Sequence, residues 1–268
     1  VGVPEHSREL NYRFDTVVNS FDYTIQAGDG RTPIYHVDVL PRQVIVDRST
    51  TYHYPSYTEL PIERKTETDG GISALVGTKI VLSATSDLPL SRGLINLRSG
   101  ENTKIVKPRL IGTRCIEAEF IIEKDGWYTI KIFSEDDVDN RNPVRHPITA
   151  IPDMPPQISF PLPGRDLPEV SIPARIPCLV KAADDFGLKT VQLLCRDTGS
   201  DQVHEIDTKQ GGRRIDSLEL DSVLDVTSAV YQPGQTLELY AMAVDSLGQK
   251  SESQKYVVKL VGKKTEES

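Results

Sequence analysis

The chain has 268 residues, 38% of them hydrophobic and 6% aromatic, and a formal net charge of -8. That acidic balance excludes the basic face that nucleic acid or an anionic membrane surface requires, while the length suits two units of about 100 to 150 residues each. No apolar run approaches the roughly 18 residues that span a bilayer, and Cys115, Cys178 and Cys195 are too few and too far apart for a zinc site or a disulfide scaffold.

Taken from the N-terminus, the first strand signal is "SFDYTIQAGDG", an alternating run that ends in an acidic turn and is followed by the β-run "IYHVDVLP". These two segments are expected to be the last strands of a truncated unit, residues 1–41, because about 40 residues cannot build a two-sheet sandwich. Next comes "TYHYPSYTELP", with four aromatic or imidazole rings around Pro55. It reads as the edge strand that opens a domain, since Pro is tolerated at an edge and not in a central strand. Tyr52 and Tyr54 alternate with His53 and Pro55, so one Tyr pair covers the open end of the core and Tyr57 is left as the ring to face a ligand.

"GTKIVLSAT" sets Ile80, Leu82 and Ala84 against Lys79, Val81 and Ser83, and "CIEAEFII" sets Ile116, Ala118 and Phe120 against Glu117 and Glu119. Both have the two-residue period of a half-buried strand, and Cys115 is read with them as a small core residue. "DGWYTIKIF" continues the pattern with Tyr128, Ile130 and Ile132. Tyr128, just after a Gly, suits the corner of a β-sandwich where a Tyr hydroxyl bonds back across a loop. Trp127, the only Trp, then points to the opposite face, either packing at a domain contact or offering a surface on which a sugar stacks.

"SEDDVDNRN" places Glu135, Asp136, Asp137 and Asp139 in one loop, the density of hard oxygen ligands that calcium needs. Asp153, in the linker that follows, and the pair Asp184-Asp185 extend that calcium reading to the junction between units. The EF-hand pattern counted from Asp137 fails, because Asn142 stands at the turn-Gly position and Ile148 at the bidentate Glu position. The alternative is a solvated acidic turn, with no cofactor at all.

"AIPDMPPQISFPLPG" is rich in Pro and predicts a short, semi-rigid linker. Beyond it, "AADDFGL" reads as a strand end and turn in which Gly187 takes positive φ and Leu188 returns to the core. Cys178 and Cys195 are expected to be buried free thiols, with pairing open only if their strands are neighbours. "RIDSLELDSVLDVTSAV" has Leu220, Val223 and Leu224 at helical spacing, but its β-branched content serves a strand followed by a loop equally well. "GQTLELYAMAVDSLG" and "QKYVVKLVG" are strands, and a polar tail, residues 263–268, is expected to be mobile.

Three of these segments are copies of one plan: an alternating strand, an acidic turn and a closing strand. They are spaced by 105 residues from Tyr23 to Tyr128 and by 111 from Tyr128 to Leu239. That period is the size of one immunoglobulin-like sandwich, so the fold expected is all-β, a tandem of antiparallel sandwiches of the immunoglobulin or fibronectin-III type. The complete units are residues 42–151 and 152–262.

The succession "YHYPSYTELP", "GGISALVGTKIVLSATSDLPL", "DMPPQISFPLP" and "VKAADDFGLKTVQLL" resembles the extracytoplasmic Ig-like region of large, membrane-anchored bacterial proteins of unknown function, best known from planctomycetes. The resemblance runs from about Phe14 to Val261 and implies an extracytoplasmic setting, in the periplasm or at the cell surface, with the membrane anchor outside these residues. It brings no assigned chemistry.

Enzyme signatures are absent: there is no Gly-x-Ser-x-Gly elbow, phosphate-binding Gly-Lys-Ser/Thr loop or His-Glu-x-x-His, and the five His are scattered. The function expected is therefore a non-catalytic structural or interaction array with a protein partner. Two alternatives stand beside it: a module for glycan or for calcium-stiffened adhesion, and an accessory segment of a larger enzyme.

Overall fold

The computed structural model describes residues 11–66, 69–200, 202–212 and 214–263. Residues 1–10, at the start of the expected first unit, and the tail from 264 onward lie outside the described residues.

The chain is all-β, in two sandwiches, each with a core of its own. In the first sandwich one sheet runs Asn102–Val106, Arg92–Ser99, Gly126–Phe133, His146–Ile151 and Ile72–Leu75. The facing sheet runs Arg109–Ile111, Cys115–Ile121, Lys79–Ser86, Ile45–His53 and Glu63–Lys65. The second sandwich repeats the plan: Leu167–Ser171, Tyr256–Val261, Thr236–Asp245, Leu188–Asp197 and Val203–Gln210 face Gln157–Leu162, Ala174–Ala183 and Ser217–Val226.

Both sandwiches share a further detail. A short strand early in each, Ile72–Leu75 or Leu167–Ser171, pairs in parallel with the closing strand, while the other pairings are antiparallel. In both sheets that short strand covers the closing strand and itself forms the edge.

The two-residue period explains the cores directly. Lys79–Ser86 buries Ile80, Leu82 and Ala84, and Cys115–Ile121 buries Ile116, Ala118 and Phe120, each at 5% exposure or less. Each fully buried Leu or Ile contributes about 1.5 to 3 kcal/mol, so these strands are held by their inner faces. Cys115 departs from its sequence reading: it is half-buried at the first position of its strand, where the alternation has just begun. Cys178 and Cys195 are buried free thiols on strands of opposite sheets. The segment of ambiguous period resolves as strand Ser217–Val226 followed by a turn.

Strand Ile45–His53 is not an open edge, because Glu63–Lys65 pairs with its last residues while Lys79–Ser86 runs along its other side. Its Tyr52 is wholly buried, and the Tyr54 ring stacks on the same side at 6.1 Å between centroids. The strand stops before Pro55, whose missing N–H and fixed φ suit the start of the 3-10 turn Ser56–Thr58. That turn carries Tyr57 out of the sheet and toward the second sandwich.

Before the first sandwich, Phe21–Tyr23 pairs antiparallel with Tyr35–Val37, and Tyr12, Phe14, Phe21, Tyr23 and Tyr35 gather into one aromatic cluster.

Candidate functional site

The acidic loop after Gly126–Phe133 is held mainly by its own backbone and by cations. Ser134 N–H donates to the Val138 carbonyl, and Asn140 accepts from Ile132 N–H while donating to the Ile130 carbonyl, both at 2.9 Å. Asp137 pairs with Arg92 at 2.5 Å, and Asp139 with Lys131 at 2.7 Å and Arg42 at 3.3 Å. Lys131 holds the Asp139 carboxyl below the usual range. Glu135 and Asp136 are exposed. The loop thus directs two of its carboxylates at Lys and Arg side chains, while Asp153, predicted as its companion, stands elsewhere.

Trp127 and Tyr128 point to opposite faces of their strand. The Tyr128 ring is fully buried and its hydroxyl donates to the Gly70 carbonyl at 2.6 Å, closing the loop before Ile72–Leu75. Gly70 has φ of +71°, a backbone that other residues adopt only with strain. Trp127 is half-buried and lies under the Arg145 guanidinium, 4.6 Å from ring centre to carbon. Below the same loop, His146 donates through Nδ1 to the Asp69 carbonyl at 2.8 Å and accepts from Arg48 at Nε2 at 2.5 Å. Burial first, and Arg48 as a further cause, push its pKa down.

The richest constellation lies between the two sandwiches. The Tyr57 ring meets Phe186 edge-on at 6.2 Å, and the Tyr57 hydroxyl faces the Asp153 carboxyl. Burial, then Asp153, raise the Tyr57 pKa to about 12. Two further bonds cross the junction region: Arg214 donates to the Glu59 carbonyl at 3.0 Å, and the Gln249 side chain to the Asp153 carbonyl at 3.3 Å.

Three carboxylates are built into this junction by different local devices. Asp153 comes from the Pro-rich linker. Asp184 ends strand Ala174–Ala183, and its Oδ1 accepts from Phe186 N–H at 3.0 Å, the side-chain turn that Asp favours. Gly187, at φ +101°, completes that turn. Asp245 ends strand Thr236–Asp245, is 1% exposed, and accepts from the Gly248 and Gln249 N–H groups at 2.6 and 2.7 Å. The two turns are tied together, because Ser246 donates to the Gly187 carbonyl through both N–H and hydroxyl at 2.9 Å.

Burial pushes the carboxyl pKa of Asp153 and Asp184 up, and neighbouring Asp185 and Asp245 push in the same direction. Among the described residues no ion pair reaches Asp153, Asp184, Asp185 or Asp245. Nor, among those residues, are three His, Cys, Asp or Glu side chains already gathered as a metal-holding group. Sequence reasoning named Asp153, Asp184 and Asp185 for the junction and missed Asp245. The available signal was that "AADDFGL" and "AVDSLG" both end an alternating strand with Asp before a Gly turn.

Among the described residues no helix is long and apolar enough to cross a membrane. No protein-family model matches the chain, and no curated relative does. Solved structures similar to it include the fibronectin(III)-like modules of CbhA from Clostridium thermocellum, at 14% identity over 75% of this chain and 97% of that one, with a TM-score of 0.28. A multidomain fragment of titin matches at 11% identity over 91% and 75%, TM-score 0.25, and an ectodomain fragment of ICAM-5 at 9% over 74% and 51%, TM-score 0.33. At these scores the likeness carries no argument, and the tandem β-sandwich fold rests on the strand pairing itself.

Proposed function

We propose that the chain is a non-catalytic, extracytoplasmic array of immunoglobulin-like units that holds surfaces in a set orientation and engages a protein partner. The units run over residues 42–151 and 152–262, and the paired strands Phe21–Tyr23 and Tyr35–Val37 come before them. The observation that carries this reading is the direct contact across the linker: Tyr57 on Phe186, with Arg214 bonded to the backbone carbonyl of Glu59. Contacts of this kind restrain two sandwiches far more than the Pro-rich linker does alone. The acidic surface favours solubility and disfavours self-association.

A glycan array run with and without calcium tests the reading. A structural or protein-binding array gives no saturable hit in either condition. A saturable hit that Trp127→Ala abolishes would replace it with sugar binding.

A further inference from the structure

We infer that the cleft beside the start of strand Ile45–His53 binds an acidic peptide segment of a protein partner. Arg42, Arg48 and Arg141 hold a carboxylate of that segment, and Gln43 accepts from one of its backbone N–H groups.

The chain carries a net charge of -8, yet one cleft of about 580 Å³ has three guanidinium groups in its lining, from Arg42, Arg48 and Arg141. Asp69 supplies the one carboxylate of that lining. Arg42 and Arg48 come from the start of strand Ile45–His53, and Arg141 from the loop that leads into His146–Ile151. Arg48 is positioned by His146, whose Nε2 it reaches at 2.5 Å, and Arg42 by the Asp139 carbonyl and carboxylate at 2.9 and 3.3 Å. Both Arg42 bonds use a single nitrogen, Nη1, of a group with five donors. Arg141 is exposed, and among the described residues no ion pair reaches it.

A second observation narrows the ligand. Gln43 lines the same cleft, is only 4% exposed, and its Oε1 is buried without a partner. An unmet buried amide oxygen is costly, and what satisfies it is a donor. The cleft therefore suits a ligand that sets an anionic acceptor beside a neutral donor. An Asp or Glu residue in a peptide offers both, its carboxylate matching the planar fork of Arg and its own N–H reaching Gln43. A phosphate diester or a sulfate ester offers acceptors alone and leaves Gln43 unmet. Val44 and Val144, 56% and 67% exposed on the same lining, give the peptide's side-chain stems an apolar rim.

This deepens the protein-partner reading and rests on it. The test is a chemical-shift titration of the whole chain at about 50 mM salt, where surface charges are little screened. Three probes are compared: a blocked hexapeptide of alternating Glu and Ala, the same peptide with Gln for Glu, and a heparin hexasaccharide. Saturable shifts at the amides of residues 42–48 and 140–146 are expected with the Glu peptide, and binding at least about tenfold weaker with the Gln peptide.

Arg141→Ser, an exposed loop change outside both cores, weakens the Glu peptide by about tenfold, while Arg175→Ser on the second sandwich leaves it unchanged. Gln43→Leu removes the second contact and weakens binding by about threefold or more. Should that variant not fold, a peptide N-methylated at each Glu removes the same contact from the other side. No saturable shift, equal binding of the Glu and Gln peptides, or binding that Arg141→Ser leaves intact overturns the proposal. Indifference to loss of the Gln43 contact overturns it too, as does a hexasaccharide that binds these amides more tightly than the peptide. A blank peptide titration leaves the array reading standing, because another surface can carry the partner. A glycan hit that Trp127→Ala abolishes removes that reading without involving Arg141.

Discussion

The Tyr57 ring stands edge-on against Phe186, perpendicular at 6.2 Å between centroids, although one residue lies in the 3-10 turn of the first sandwich and the other in a strand-end turn of the second. An aromatic pair in this geometry contributes about 0.5 to 1.5 kcal/mol beyond the area it buries. Phe186→Ala is therefore expected to loosen the angle between the sandwiches while costing each core little. Small-angle scattering checks it: the variant shows a broader distribution of interatomic distances than the parent, with its thermal midpoint nearly unchanged.

The Tyr128 hydroxyl is buried and bonded to the Gly70 carbonyl, so Tyr128→Phe strands that carbonyl out of water. The expected loss is about 1 to 3 kcal/mol, read as a lower urea midpoint at unchanged slope. Tyr54→Phe is the comparison. Its hydroxyl donates to Glu63 at a partly exposed position, and its removal costs no more than about 1 kcal/mol.

Burial, as the leading cause, raises Tyr54, Tyr57 and Tyr231 each to about 12, while an unfolded Tyr titrates near 10. A folded pKa above the unfolded one means that the neutral form is favoured by folding. The stability this contributes is complete below about pH 10 and is lost as pH rises through about 12. Ultraviolet titration of the native chain should show this group of phenols ionising late, and the denaturant midpoint should fall over that window.

Cys178 and Cys195 are 1% and 0% exposed, and burial pushes their thiols up to about 11 and about 12. The thiolate is the reactive form, so both should be inert in the native chain. Thiol counting with an aromatic disulfide reagent is expected to find only half-buried Cys115 before denaturation and all three cysteines after it.

The parts of the molecule governed by period were legible from residues alone. Ile80, Leu82 and Ala84 alternate because a strand shows one face to the core, and Tyr128 and Leu239 each lie on a strand that pairs with the closing strand of its sandwich. Tyr128 could be placed at its corner because the Gly before it is local information. What could not be read is what the chain brings together from afar. Ile72–Leu75 pairs with His146–Ile151 across more than seventy residues, and nothing in either segment says so.

The junction shows the same limit. Asp153 and the Asp184-Asp185 pair stand out beside Pro and Gly, but Asp245 looks like any turn residue until the two strand ends are seen side by side. The edge-strand reading of "TYHYPSYTELP" came short for a related reason, because the covering strand Glu63–Lys65 is too brief to signal itself. Tyr57 remains the residue of that stretch that leaves its own sandwich, and what it meets is Phe186 and Asp153.

The contacts at Tyr57, Phe186, Asp153 and Arg214 are expected to hold the two sandwiches in one orientation. Residual dipolar couplings from backbone amides of both sandwiches, measured on the whole chain in one aligned sample, test it most directly. A single alignment tensor is expected to fit both sets. Two tensors of clearly different magnitude, one for each sandwich, would contradict it.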